Sequence, residues 1–277
     1  MKVLVIGAHG QLGHALREVL SQQDVLAWDI EDLDITKRGQ TLKAITSAHP
    51  DIVINAAAYT NVDQAESDSS AAYRVNAVGP QNLALATEGI GVPLVHISTD
   101  YVFDGSKAEP YHEFDQPHPS SIYGKSKLAG EAAVRAFTRQ YFIVRTAWLY
   151  HTVGKNFPKT ICQLAKQSDV RVVSDQQGSP TFAPHLAKAI EQLIMTKNFG
   201  TYHLAGAGGT SWFELTQTLF HHLGIKAHVT PVSTKEFPLP APRPMNSVLT
   251  TLQDPAILLP PWEEGVREFV DQSSQVM

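Results

Sequence analysis

Two residues in the segment SSIYGKSKLAGE could do proton chemistry together. Tyr123 and Lys127 stand four apart in a stretch whose pattern predicts a helix, so they share one helical face. A free phenol has a pKa of about 10. A nearby ammonium lowers it towards neutrality and makes the phenol a usable proton donor to a carbonyl oxygen under reduction. Any exposed helix can carry such a pair by accident, so its neighbours decide. The earlier segment VHISTDYVFDG ends a predicted strand with two hydroxyl residues, Ser98 and Thr99. A hydroxyl at that point could hold the same oxygen by a hydrogen bond.

A second constellation precedes them. VLVIGAHGQLGHALREVL places Gly7, Gly10 and Gly13 directly after the first predicted strand and across the start of the first helix, with Gln11 and Leu12 between them. The chain must turn tightly there, admit a pyrophosphate to its backbone and pack helix on sheet, and each demand favours a residue without Cβ. The helix start offers free N–H groups and a positive dipole end to phosphates. Asp29, at the end of the next predicted strand, can accept hydrogen bonds from ribose hydroxyls and would repel a 2′-phosphate. It favours NADH, although His9, Lys37 and Arg38 could offset it for NADPH.

The elements that must position these groups are legible as periodicity. Strands are predicted over 2–6, 25–29, 51–57, 93–98, 141–146 and 170–174, nearly continuous in apolar character as in strands buried on both faces. Helices are predicted over 11–21, 37–48, 69–89 and 122–137. The alternation implies an α/β fold, a doubly wound parallel sheet covered on both faces. In the second half a helix starts near Pro184, GTYHLAG reads as a strand, and a further helix runs from an N-cap at Ser211 to a stop at Gly224. The proline-rich stretch 231–244 is expected to be a fixed loop that covers a pocket.

The chain has 277 residues, 43% of them hydrophobic, and a formal net charge of −5. No basic block suggests nucleic acid, and no apolar run is long enough for a bilayer span or a signal-peptide core. The single cysteine, Cys162, fits a reducing cytoplasm and reads as a structural thiol. His221 and His222, adjacent on one helix, cannot converge on a metal.

The motifs go further in combination. The G-x-x-G-x-x-G spacing and Tyr-x-x-x-Lys resemble the extended short-chain dehydrogenase/reductases. NAAAYTNVDQAESD, VHISTDYVFDG, YGKSKLAGE, VRTAWLY, KNF, DQQGSPT and RPMNS, in this order, resemble the dTDP-4-dehydrorhamnose reductase family over almost the whole chain. The resemblance implies a Rossmann-type doubly wound parallel sheet with a smaller C-terminal substrate-binding domain, the dinucleotide-binding domain over 1–149 and about 170–197 and the substrate domain over about 150–169 and 198–277. It implies reduction of the 4-keto group of a dTDP-linked deoxysugar with NADPH or NADH, and Thr99, Tyr123 and Lys127 as the catalytic set. It places Asp34 and Ile35 along the adenine and Ala56, Ala57 and Ala58 beneath the cofactor. Thr60, Val62 and Trp148 fall near the sugar, with Trp148 offering an aromatic face. Asn156, Gln176 and Arg243 fall towards the nucleotide part, where Arg243 could fork onto a diphosphate.

One position departs. Some members carry a glutamate two residues after the third glycine that helps hold magnesium at a dimer interface; here it is Ala15. No metal is expected, and the chain is expected to be a monomer or a homodimer. Two other readings stay open: a reductase of another nucleotide-linked 4-keto-deoxysugar, and a non-catalytic nucleotide-binding subunit like the regulatory subunit of methionine adenosyltransferase.

Overall fold

The computed structural model describes residues 1–167 and 169–274. Six parallel strands form the central sheet: Lys2–Ile6, Asp24–Trp28, Ile52–Asn55, Leu94–Thr99, Tyr141–Thr146 and Gly200–His203. In space their order is sixth, fifth, fourth, third, first, second. Alternation along the first strand explains the layers. Val3 and Val5 face a cluster with Leu12, Leu16, Leu186 and Ile190 of the Gln11–Val19 and Ala183–Ile194 helices. Leu4 and Ile6 face the opposite cluster, with Ile45, Leu83 and Val134. Both faces are covered, so the strands had to be apolar throughout.

One expected strand lies elsewhere. Val170–Val173 pairs in parallel with Val229–Val232 in a separate two-stranded sheet. Its side chains explain the difference. Val170 and Val172 are buried while Arg171 is exposed, the period of a strand covered on one face only. These strands pack in a third cluster with Leu215, Leu219, Trp262, Val266 and Phe269. Pro231 sits in the Val229–Val232 strand, tolerable because a two-stranded sheet has only edges. The sixth place in the main sheet goes to Gly200–His203, beside the fifth strand.

The predicted 69–89 helix is in three parts. An α-helix at Ser69–Tyr73 passes through a π-helical turn, Arg74–Val78, into a second α-helix at Gly79–Ile90. The helices Phe157–Ala165 and Trp262–Ser274 complete the C-terminal layer; neither stood out in the sequence. Cys162 is half-buried beside that cluster, and burial pushes its thiol up to about 11, so it carries no thiolate at neutral pH.

The order reverses where the third strand joins the first on the side away from the second. Crevices at such switch points, outside the carboxyl ends of the strands, are where open α/β sheets take their ligands.

Candidate active site

A cleft of about 790 Å³ opens at that switch point. Its floor is the glycine loop. Gly7 has φ +80°, and a Cβ there would lie 2.6 Å from the backbone nitrogen of Ala57. The ends of the first and third strands can approach this closely only without a side chain. Gly13 does not line the cleft. A Cβ on it would come 2.1 Å from the Gly7 carbonyl oxygen, so it lets the helix dock on the turn. Gly10, Gln11 and Leu12 line the wall where the Gln11–Val19 helix begins.

Asp29 also lines the cleft. Its carboxylate accepts from the backbone N–H groups of His9 and Ile30, both at 2.8 Å, and so pins the glycine loop to the second strand. His9 reaches the cleft, whereas Lys37 turns towards Asp34, 4.0 Å away. Asp34, Ile35, Ala56, Ala57 and Ala58 line the same trough, and Thr60 and Val62 continue it outward. This glycine cradle, the carboxylate at the end of the second strand and the floor of small residues fit a dinucleotide.

Thr99, Tyr123 and Lys127 meet in the cleft. Thr99 ends the fourth strand, and Tyr123 is the second residue of the Ile122–Phe137 helix, which Ser121 caps through the Gly124 N–H. The Thr99 hydroxyl is in hydrogen-bond contact with the Tyr123 phenol. It also donates to Asp100 Oδ1 at 3.0 Å. Ser98, the other hydroxyl candidate, donates instead to Glu131 at 2.6 Å.

The electrostatics of the pair differ from the expectation. Burial pushes Tyr123 up to about 12; the Thr99 contact lowers it and the Asp100 charge raises it. Lys127 is buried, donates to the Ile97 carbonyl at 2.6 Å, and does not figure among the groups acting on the phenol. Burial brings Lys127 down to about 8, with Glu131 pulling it back up. Asp100 is pushed by burial up to about 6, restrained by the Ser247 and Thr99 hydroxyls.

Three expected ligand residues are engaged elsewhere and do not line the cleft. Asn156 caps the Phe157–Ala165 helix and donates to Gln11 Oε1 at 2.9 Å, tying that helix to the phosphate loop. Gln176 accepts from the Trp212 indole at 3.2 Å. Arg243 forks onto Asp63, at 2.5 and 2.8 Å, and that pairing anchors the proline-rich loop beside Val62. No residue of 231–244 lines the cleft, so the loop braces its outer wall rather than covering it.

Two residues of the site were not legible in the sequence. Asn76, buried in the π-turn, accepts from Tyr59 N–H at 2.8 Å and donates to Ser126 at 3.0 Å. It clamps the trough to the Ile122–Phe137 helix, a common use of such turns. The only local signal was a helix too long to be regular. Trp212 lines the cleft and stacks on Trp148; the capping motif at Ser211 hid it as an ordinary helical residue.

His14, Glu18 and His151 also converge, within 4.8 Å of one another. The Val153 N–H donates to His151 Nδ1 at 2.9 Å. In the neutral ring the proton is then on Nε2, a donor and not a metal ligand, and that atom has no hydrogen-bond partner among the described residues.

Comparison with known proteins accords with this geometry. The family model described as RmlD substrate binding domain matches residues 1–275. The spore coat polysaccharide biosynthesis protein SpsK of Bacillus subtilis (strain 168) is 39% identical, over 99% of this chain and 98% of its own. A solved dTDP-4-dehydrorhamnose reductase from Clostridium acetobutylicum ATCC 824 is 43% identical, with a TM-score of 0.96, covering 99% of this chain and 100% of that one. Another, from Bacillus anthracis str. Ames in complex with NADP, is 43% identical with a TM-score of 0.95, covering 98% and 99%. Similarity of this extent in sequence and backbone, over both layers of the molecule, means that this chain belongs to the dTDP-4-dehydrorhamnose reductase family.

Proposed function

We propose that the protein reduces the 4-keto group of dTDP-4-dehydro-L-rhamnose to give dTDP-L-rhamnose, with Tyr123 as general acid and NADPH or NADH as reductant. The observation that carries this reading is the meeting of Thr99, Tyr123 and Lys127 in one cleft with a glycine phosphate loop. The relative in complex with NADP supports the choice of reductant. The nicotinamide cofactor supplies hydride when bound. Gly7, Gly10, Gln11 and Leu12 would hold its pyrophosphate, Asp29 its adenosine ribose, and Ala56 to Ala58 would leave room for it.

The chain's own groups do the rest. With its pKa raised to about 12, the Tyr123 phenol is protonated at neutral pH and can give its proton to the reduced oxygen. Lys127, at about 8, is mostly charged at pH 7, and its ammonium can donate to a ribose hydroxyl of the bound cofactor. Thr99 bridges Asp100 and the phenol, and by rotating its hydroxyl can hold the carbonyl oxygen in line. Burial of Lys127 and Thr99 keeps water from competing for that proton.

The test is nicotinamide oxidation with dTDP-4-dehydro-L-rhamnose as substrate. Rapid oxidation with dTDP-L-rhamnose as product is the expected result. Turnover only with a different nucleotide-linked keto sugar, or tight cofactor binding without oxidation, would sink it.

Cofactor choice has its own test. Asp29→Asn removes the charge and keeps one of the two acceptors that serve the His9 and Ile30 N–H groups. A carboxylate against a phosphate costs between ~1 kcal/mol in open water and ~4 kcal/mol near a protein surface. The variant should therefore shift the NADPH/NADH ratio of kcat/KM towards NADPH by about tenfold. An unchanged ratio would assign the preference to other residues.

A further inference from the structure

Trp148, the aromatic residue expected to carry the sugar, has neither ring face free. A Cβ on Gly178 would lie 2.2 Å from Trp148 Cε2, with Cζ2 and Nε1 each at 2.5 Å. An atom nearest the fused carbon, and equally far from its two neighbours, stands over the ring plane and not at its edge. Gly178 therefore covers one face. Trp212 covers the other: the two indoles stack with centroids 3.5 Å apart and planes 5° from parallel. Trp148 is locked in this sandwich with φ +45°, a backbone conformation that favours glycine and that a bulky residue keeps only where its surroundings fix it.

Trp212 is placed differently. It is half-buried, lines the cleft with Thr60, Val62 and Lys155, and meets Phe157 only obliquely, at 4.5 Å and 51°. Its indole N–H donates to Gln176 Oε1 at 3.2 Å, and Gln176 Nε2 donates to the Thr234 hydroxyl at 3.0 Å. Gln176 is buried, so this chain fixes the tilt of the Trp212 ring. The stack thus makes one rigid wall of two indoles, one contributed from each layer of the molecule.

We propose that Trp212 is a specificity-determining residue: the apolar side of the deoxysugar packs on the Trp212 indole, which Trp148 backs and Gln176 orients. The inference rests on the nucleotide-sugar reading above. An aromatic ring suits such a ligand because a deoxysugar presents C–H bonds on one side and hydroxyls on the other.

Equilibrium binding of dTDP-L-rhamnose, dTDP and NADPH to the full-length protein separates the possibilities. Trp212→Ala should weaken dTDP-L-rhamnose by roughly tenfold or more, while dTDP and NADPH stay within about twofold of wild type. Trp212→Phe should restore most of the loss, because it keeps an aromatic face; its behaviour also guards against a general loosening in the Ala variant. In turnover the Ala variant should raise KM for the keto sugar more than it lowers kcat. Equal weakening of dTDP and dTDP-L-rhamnose would overturn the proposal by moving Trp212 to the base. Tighter binding by the Ala variant would overturn it too, by making Trp212 a plug on the site, as would no change. If wild type binds dTDP but neither binds dTDP-L-rhamnose nor reduces the keto sugar, the functional reading fails first and this inference falls with it.

Discussion

Tyr123→Phe should lower kcat by about 10²–10⁴-fold and leave NAD(P)H affinity close to that of wild type. A positioned general acid contributes on that order. The substitution removes one oxygen and nothing else. The ring keeps its edge-on contact with Tyr101, at 5.5 Å and 77°. The helix keeps its cap at Ser121, and Lys127 keeps its bond to the Ile97 carbonyl. A fall in kcat with intact cofactor binding therefore reads as lost proton transfer, not a lost fold. Steady-state turnover and cofactor titration by fluorescence make the measurement. If turnover survives unchanged, the proton comes from elsewhere, and Asp100 is the next group to replace.

The second large effect concerns stability. Glu131 lies on the Ile122–Phe137 helix, fully buried, four residues beyond Lys127. Its carboxylate accepts from Ser98 at 2.6 Å, from Arg145 Nε and Nη2 at 2.9 and 2.8 Å, and from Arg135 at 2.9 Å. The bonds join the helix to the fourth and fifth strands directly beneath the active site. Glu131→Ala leaves Arg145, itself buried, without its partner. Breaking such a pair from one side costs about 3–5 kcal/mol, which a denaturant melt would register as a large drop in midpoint. Replacing both partners, Glu131→Leu with Arg145→Met, should recover much of that loss, because the buried Arg145 charge goes with its partner. A single-variant loss below about 1 kcal/mol would mean that water reaches Arg145.

The same group sets an acid limit. Burial would raise Glu131, but the Arg145 hydrogen bonds and charge, with Ser98 and Arg135, hold it at about 2 against an ordinary value of 4.5. A carboxylate whose pKa is lower folded than unfolded stabilises above the unfolded value. That contribution is lost as pH falls from about 4.5 towards 2. Wild type should therefore lose stability across that window more steeply than the double variant does.

Much of this was written in local spacing. Gly7, Gly10 and Gly13 announce a phosphate turn because backbone crowding at a strand–helix junction is a local demand. The buried strands show as apolar runs, and Tyr123 and Lys127 share a face because a helix turns every 3.6 residues. Thr99, Tyr123 and Lys127 could be nominated together because the order of elements in a doubly wound sheet brings strand ends to one edge.

What local spacing could not carry was pairing between distant segments. Arg243 looked free for a diphosphate until the fold set it against Asp63, 180 residues away. Asn156 was taken by Gln11, 145 residues distant, and Gln176 by Trp212. Val170–Val173 and Gly200–His203 were both plausible sixth strands. The choice fell on side-chain cover: a strand with an exposed Arg171 cannot be buried on two faces. Trp148 was visible as an aromatic residue at a strand end, but which of its faces stayed open depended on Gly178 and Trp212 closing on it from separate parts of the chain. Residue type and periodicity fix what a side chain can do; the tertiary structure alone decides what it has left to do it with, because each hydrogen bond or ring face can be used only once.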